Sequence, residues 1–156
     1  MPKVLIVCMA NVCRSPMAET VARHMSETVA QKTFVFESAA AHAKSIGQPA
    51  DPRAIRALER RGYKARKHRS RCVKASDFER FDLVLAMDRS NLAELERLCP
   101  LEHHHKLKLF MSLAEEAGES WPLEVPDPYY GNPQGFERVL DLCEAAVKGL
   151  LRITRG

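Results

Sequence analysis

The sequence predicts an α/β domain in which a parallel sheet is covered by helices on both faces. Short apolar runs of strand length alternate along the chain with longer segments of helical periodicity, which is the pattern of βαβ units. Residues 4–8 and 82–87 are also rich in Val, Leu and Ile, as is typical of strands buried on both faces. Two further strands are predicted at residues 33–38 and 106–110, the last one at an edge because it alternates.

The first strand leads through a tight loop into a helix. Ser15 is a good helix N-cap and Pro16 suits the first helical position, so we expect the helix to begin there. Apolar residues then recur at helical spacing and predict a buried face, formed by Met17, Val21, Met25 and Val29.

Later helices are marked by the same kinds of signal. Asp51 before a proline and Asp88 after a strand predict two helix starts, and Gly62 predicts the end of the first of these helices. Residues 111–122 are expected to form a short helix and turn, and residues 135–155 a long final helix.

Two polar segments have plain structural interpretations. The basic segment, residues 63–71 (YKARKHRSR), is interpreted as a solvated strand edge or loop. His103, His104 and His105 are interpreted as a polar turn, because neighbours on a strand face opposite ways and cannot all reach one metal ion.

The composition restricts the class of protein. With 156 residues, 46% of them hydrophobic, the chain fits a single domain spanning residues 1–156. The net charge of +4 suits an anionic substrate, but the charges are scattered, so nucleic acid is not favoured as a partner. No signal peptide or membrane span is visible, and five cysteines without a secreted or zinc-binding spacing predict a cytoplasmic protein without structural zinc.

A cysteine and an arginine frame the loop after the first strand. N–H groups of such a loop and the positive end of the following helix suit a bound oxyanion, and the guanidinium of Arg14 can bind two phosphate oxygens. The same positive field favours the thiolate form of Cys8, which is the nucleophile. The loop therefore predicts attack on phosphorus. The alternative is that Cys8 is a small core residue at a strand end.

A phosphatase that uses a cysteine also needs an acid to protonate the leaving group. Asp127 is the candidate, since it lies between two prolines beside Tyr129 and Tyr130, which could stack on an aromatic ring. Taken alone, the same segment is also typical of a plain turn.

These residues together resemble the low-molecular-weight protein tyrosine phosphatases. The matching motifs are Cys8-x-x-Asn11-x-Cys13-Arg14-Ser15-Pro16, Ser38-Ala39-Ala40, Asp51-Pro52-Arg53-Ala54, Ala86-Met87-Asp88-Arg89-Ser90-Asn91-Leu92 and Asp127-Pro128-Tyr129. The resemblance covers essentially the whole chain. It implies a four-stranded parallel sheet in a flavodoxin-like fold of the phosphotyrosine protein phosphatase I type, with no metal or organic cofactor.

The resemblance also implies the roles of individual residues. Cys8 forms a phosphocysteine intermediate, Arg14 and the N–H groups of residues 9–14 hold the phosphoryl oxygens, and Asp127 acts first as acid and then as base. The other implied substrate-binding residues are Met9, Ala10, Asn11, Val12, Cys13, Ser15, Tyr129 and Tyr130. The implied partner is a phosphotyrosine-containing protein, with a bacterial tyrosine kinase among the candidates, and inorganic phosphate is the product.

Supporting roles follow from the same resemblance. Asn11 braces the loop, Ser15 donates a hydrogen bond to the Cys8 thiolate, and His68 supports the loop through Asn11. Cys13 is placed to form a reversible disulfide with Cys8, although a buried packing cysteine is the open alternative.

Two residues depart from the family pattern. Ala10 stands where many members have glycine, so a negative φ is expected there. Lys44 stands where some relatives place an aromatic wall of the substrate slot, which favours acidic residues next to the phosphotyrosine.

Three alternative functions remain open from the sequence. A protein arginine phosphatase resembles the chain throughout the loop but carries threonine where this chain has Val12. A thiol-linked arsenate reductase needs two further cysteines close together, whereas Cys72, Cys99 and Cys143 are far apart in sequence. A catalytically silent phosphate-binding module needs neither the nucleophile nor the acid.

Overall fold

The computed structural model describes residues 2–29, 34–42, 46–128, 131 and 133–153. Four strands alternate with five helices along this part of the chain. They are β1 (Lys3–Cys8), α1 (Arg14–Val29), β2 (Val35–Ala40), α2 (Pro52–Arg60), α3 (Ala75–Arg80), β3 (Leu83–Ala86), α4 (Arg89–Leu98), β4 (Leu107–Leu109) and α5 (Pro133–Ile153). Two 3-10 helices flank β4, at Leu101–Lys106 and Phe110–Ala117.

The strands form one parallel sheet in the order β2-β1-β3-β4, which confirms the predicted fold class. Cys8, the last residue of β1, pairs with Ala40, the last residue of β2. Val7 likewise pairs with Ala86 at the end of β3. The carboxyl ends of three neighbouring strands therefore meet at one edge of the sheet, where ligands bind in folds of this kind.

Hydrophobic cores lie on both faces of the sheet. Alternate residues of β1 point to opposite faces, so Val4 and Ile6 pack in one core with α1, α2 and α5, while Leu5 and Val7 pack in the other with α3 and α4. The central strand β1 is therefore apolar along its whole length, as its sequence predicts. This burial fixes the position of the loop that follows it.

Several element boundaries differ from those predicted. Helix α1 begins at Arg14, so the prediction of Ser15 as its N-cap is wrong; its hydroxyl contacts other side chains instead. Helix α3 has no counterpart among the predicted elements. Asp51 and Asp88 do cap helices, accepting hydrogen bonds from the backbone N–H groups of Arg53 and Asn91.

The histidine triplet lies in the first 3-10 helix rather than in a simple turn. The Nε2 atom of His104 is 2.9 Å from the carbonyl oxygen of Cys99, so this ring is used to hold the local backbone. Across the described ranges, no three His, Cys, Asp or Glu side chains are grouped so that they could bind a metal ion. Nor does any helix within those ranges have the length and apolar character needed to cross a bilayer.

Candidate active site

The loop between β1 and α1 is held at the carboxyl edge of the sheet. The N–H of Ala41 donates to the carbonyl of Cys8 and the N–H of His42 to that of Met9, which ties the loop to the segment after β2. On its other side, the N–H of Asp51 donates to the carbonyl of Val12 at 2.8 Å. The loop is thus fixed from two sides before α1 begins.

The sulfur of Cys8 lies at the base of this loop. Cys8 is only 3% exposed, and its Sγ atom is 3.0 Å from the hydroxyl of Ser15 and 3.2 Å from the backbone N–H of Asn11. Both groups can donate to a thiolate, and the N-terminus of α1 adds its positive dipole. The loop therefore places two hydrogen-bonding groups and a helix N-terminus at the Cys8 sulfur.

Asn11 makes hydrogen bonds to residues on several sides of the loop. It is fully buried and has a φ of 59°, which only a few non-glycine residues adopt. Its side-chain amide donates to the hydroxyls of Ser15 at 2.8 Å and Ser38 at 2.9 Å, and its side-chain oxygen accepts from the N–H of Arg71. Nε2 of His68 lies 2.7 Å from its carbonyl oxygen. These contacts hold the loop in a conformation that directs the N–H of Asn11 at the sulfur.

The residues that contact Asn11 are themselves held by further side chains. The hydroxyl of Ser38 donates to Glu19 at 2.6 Å, and Glu19 in turn pairs with Arg23. Arg71 is anchored by the fully buried carboxylate of Asp77 at 2.9 Å. Burial raises the pKa of Asp77, but hydrogen bonds from Arg71 and the N–H of Lys74 outweigh it and bring the pKa below its ordinary value. Asp77 therefore remains charged and keeps Arg71 in place.

Arg14 is held almost completely buried above the loop. Its Nη1 atom donates to Asp88 at 2.7 Å and to the carbonyl of Val125 at 2.9 Å. Its Nη2 atom lies 3.8 Å from a carboxylate oxygen of Asp127. Because Nη1 is fixed by two acceptors, the plane of the guanidinium is fixed as well.

Asp88 is a site residue that sequence reasoning did not identify. The sequence predicts it only as the cap of α4, and one of its oxygens does accept from the N–H of Asn91 at 2.8 Å. The other oxygen pairs with Arg14. Its position directly after the third strand, at the carboxyl edge of the sheet, is the signal that could have indicated this role.

Asp127 reaches the site from the segment before α5. The N–H of Val125 donates to the carbonyl of Met87 at 2.8 Å, which docks this segment against the end of β3. The carboxylate of Asp127 is one-third exposed and lies beside Arg14. The structure therefore brings together Cys8, Arg14 and Asp127, which are distant in sequence.

Cys13 lies close to Asp51 in the described structure. Its sulfur is buried and is 3.6 Å from a carboxylate oxygen of Asp51. Burial, together with the charge of Asp51, raises the pKa of Cys13 to about 12, whereas Arg53 holds the pKa of Asp51 below its ordinary value. Cys13 is therefore a protonated thiol at neutral pH. Neither Cys8 nor Cys13 is in a disulfide in this structure, and the reversible disulfide between them stays a prediction.

The other predicted loop residues have varied surroundings. The side chain of Met9 is exposed at the rim, and Val12 packs against the core. Ala10 has a negative φ, as predicted, since Asn11 is the one non-glycine residue with positive φ in the described part of the chain. Lys44, Tyr129 and Tyr130 lie outside the described residues.

Comparisons of the sequence and of the structure with known proteins both match phosphotyrosine phosphatases. The family model described as low molecular weight phosphotyrosine protein phosphatase matches residues 3–155. The chain is 41% identical to a low molecular weight protein-tyrosine-phosphatase of Streptomyces coelicolor, over 98% of this chain and 93% of the relative.

Solved structures extend the comparison to the fold. A protein tyrosine phosphatase from Entamoeba histolytica, with Hepes in its active site, superposes with a TM-score of 0.91 at 35% identity, covering 99% of this chain and 97% of that one. The tyrosine phosphatase Wzb from Escherichia coli K30, in complex with sulphate, superposes with a TM-score of 0.80 at 29% identity, covering 99% and 98%.

Proposed function

Since the chain belongs to the low molecular weight phosphotyrosine protein phosphatase family and is a protein-tyrosine phosphatase, we propose that it works through a phosphocysteine intermediate formed on Cys8. The substrate is a protein phosphotyrosine, and inorganic phosphate is released. Arg14 binds the phosphoryl group and Asp127 transfers the protons.

In the first step, the sulfur of Cys8 attacks phosphorus. The S–P bond forms while the bond from phosphorus to the tyrosine oxygen breaks, and Asp127 gives its proton to that oxygen. The N–H groups of the loop and the Nε–Nη2 edge of Arg14 hold the phosphoryl oxygens, because Nη1 is already bound to Asp88 and Val125.

In the second step, water replaces the sulfur. Asp127, now ionised, accepts a proton from the water as its oxygen attacks phosphorus. The S–P bond breaks, and the departing thiolate is stabilised by Ser15 and the N–H of Asn11, which lie 3.0 and 3.2 Å from the sulfur.

The observation that carries this proposal is the surroundings of Cys8. A cysteine that only filled space would need no donors, yet two groups lie at its sulfur within a loop that Asn11 holds at positive φ. Such strain is characteristic of functional sites.

Hydrolysis of para-nitrophenyl phosphate by reduced enzyme without added metal tests the proposal. We expect no turnover by Cys8→Ser and a loss of about 100-fold or more by Asp127→Ala, the range for removal of a general acid and base. Wild-type enzyme that binds phosphate without turnover, or Cys8→Ser enzyme that remains active, would contradict the mechanism.

Among phosphorylated side chains, Val12 supports tyrosine over arginine. Its side chain packs against the core and offers no hydroxyl to a guanidinium. We include a bacterial tyrosine kinase among the protein substrates to test, because the family resemblance implies it as a candidate. Faster turnover of phosphoarginine than of phosphotyrosine peptides would overturn the preference.

A further inference from the structure

The basic segment forms an exposed positive surface beside the phosphate-binding loop. Residues 63–71 contain five Lys or Arg side chains and no carboxylate. In the structure these residues form neither helix nor strand. The next residue, Cys72, forms an isolated β-bridge with Ala40 at the end of β2.

This segment is fixed to the active site at one end. The ring of His68 contacts the carbonyl of Asn11, and the N–H of Arg71 donates to the Asn11 side chain. Ser70 exchanges backbone hydrogen bonds with residues 47 and 48 on its other side. Even a fully extended chain covers at most about 14 Å in four residues, so Lys64 lies within that distance of His68.

The cations of the segment divide into two groups. Arg71 pairs with Asp77 and Glu37, and the guanidinium of Arg69 donates to the carbonyl of Gly47. Lys64, Arg66 and Lys67 are exposed, and no carboxylate among the described residues lies within ion-pair distance of them. These three side chains, which we name the basic flank, are therefore available to a bound partner.

The basic flank lies next to the loop in sequence and in space, because Lys67 directly precedes His68, whose ring contacts Asn11. Arg66 and Lys67 line a narrow cleft together with Pro16, Glu19 and Thr20, in the first turns of α1, which directly follows the phosphate loop. The carboxylate of Glu19 is engaged by Arg23 and Ser38. An extended peptide advances about 3.3 Å per residue, so four residues on either side of the phosphotyrosine span about 13 Å of the surface around the loop.

We propose that Lys64, Arg66 and Lys67 select substrates with acidic residues flanking the phosphotyrosine. The selection rests on the proposed function, since the phosphotyrosine must first occupy the loop. The cations attract Asp and Glu of the substrate across a solvent-exposed surface, so they act on substrate capture and leave the chemical steps unchanged.

The test compares two phosphotyrosine peptides that differ only in flanking Asp and Glu or Asn and Gln. In the triple variant Lys64→Glu, Arg66→Glu and Lys67→Glu, we expect kcat/KM for the acidic peptide to fall about tenfold, through KM, because three exposed attractive contacts become repulsive. Turnover of para-nitrophenyl phosphate and of the neutral peptide should stay within about twofold of wild type.

A matched control carries the same charge change elsewhere. Arg97, Lys108 and Arg152 are exposed, on α4, β4 and α5. Changing these three to Glu should leave the preference for the acidic peptide intact. Added salt should weaken the preference in wild type, since exposed charges are screened.

Three outcomes would overturn the inference. The first is an equal fall in kcat/KM for both peptides in the basic-flank variant, and the second is an unchanged kcat/KM for the acidic peptide. The third is tight binding of a single-stranded oligonucleotide that the variant loses while its peptide kinetics are unchanged, which would assign the surface to nucleic acid. Failure of the proposed function is distinguishable, because wild type would then not hydrolyse para-nitrophenyl phosphate.

Discussion

Asn11 shows at the scale of a single residue how the loop is kept ready for an anion. A left-handed backbone costs a non-glycine residue about 1–2 kcal/mol, and asparagine is among the residues that tolerate it best. Here that conformation is held by the hydrogen bonds that the Asn11 side chain donates to Ser15 and Ser38 and by the one it accepts from the N–H of Arg71. The loop is therefore shaped before substrate arrives, and binding does not have to order it.

Asp88 has two roles that substitution can separate. Asparagine is as good an N-cap as aspartate but has no charge to pair with Arg14. We expect Asp88→Asn to keep the melting temperature within about 2 °C and to lower kcat/KM for para-nitrophenyl phosphate about tenfold or more. Asp88→Ala should lose the same activity and also about 1 kcal/mol of stability with the cap.

Calorimetry and steady-state kinetics on both variants check these effects. Full activity in Asp88→Asn would show that the fixed guanidinium does not depend on the charge at this position. A large loss of stability in Asp88→Asn would show that the ion pair with Arg14 holds the fold together rather than the site.

The residues of the site differ in how far the sequence could reveal them. Cys8 and Arg14 are close in sequence and lie between a strand and a helix, so their local pattern predicts an anion site. Asp127 was found because a cysteine mechanism needs an acid. Asp88 was missed as a site residue because its contact with Arg14 joins residues 74 positions apart, which no local pattern contains.

At the scale of elements, long periodic segments were predictable and short ones were not. Helix α5 carries a clear apolar face, and its start at Pro133 lies two residues before the predicted one, while its predicted end at residue 155 lies outside the described residues. Helix α3 has only six residues, too few to show a period, and its buried Asp77 is held by Arg71 and Arg80 through contacts that depend on the fold. The start of α1 was misplaced because Ser15, a typical cap, turns its hydroxyl toward Cys8.

The contact between α5 and the second 3-10 helix depends on one glycine. A Cβ atom at Gly149 would lie 1.6 Å from the carbonyl oxygen of Leu113, which is backbone and cannot move aside alone. We expect Gly149→Ala to lower the free energy of unfolding by at least about 3 kcal/mol, the upper end of the usual cost of overpacking. Urea denaturation measures this change.

Gly135 provides a matched control in the same helix. A Cβ atom there would lie 3.5 Å from Cβ of Pro128, an ordinary contact. Gly135→Ala should leave the stability unchanged or raise it by up to about 1 kcal/mol through helix propensity. Equal stability of the two variants would mean that α5 can shift away from the 3-10 helix at little cost.

At the scale of the whole molecule, the parallel sheet assembles the site. Its strand order puts the ends of β2, β1 and β3 side by side. Cys8 is the last residue of β1, Ser38 lies two residues before the end of β2, and Asp88 lies two residues after the end of β3. Alternating strands and helices predict a parallel sheet, but the order of strands depends on crossovers that the residues alone do not specify. The resemblance to a known family supplied the fold type that the pattern could not.

The proposed chemistry is tested most directly by looking for the covalent intermediate. Wild-type enzyme turning over para-nitrophenyl phosphate is quenched rapidly with denaturant, and its mass is measured intact and after digestion. We predict a fraction of the chains with the mass of one added phosphoryl group, located on Cys8 and absent from Cys8→Ser. Steady turnover with no phosphoryl group on the chain, or with one on another residue, would contradict the phosphocysteine mechanism.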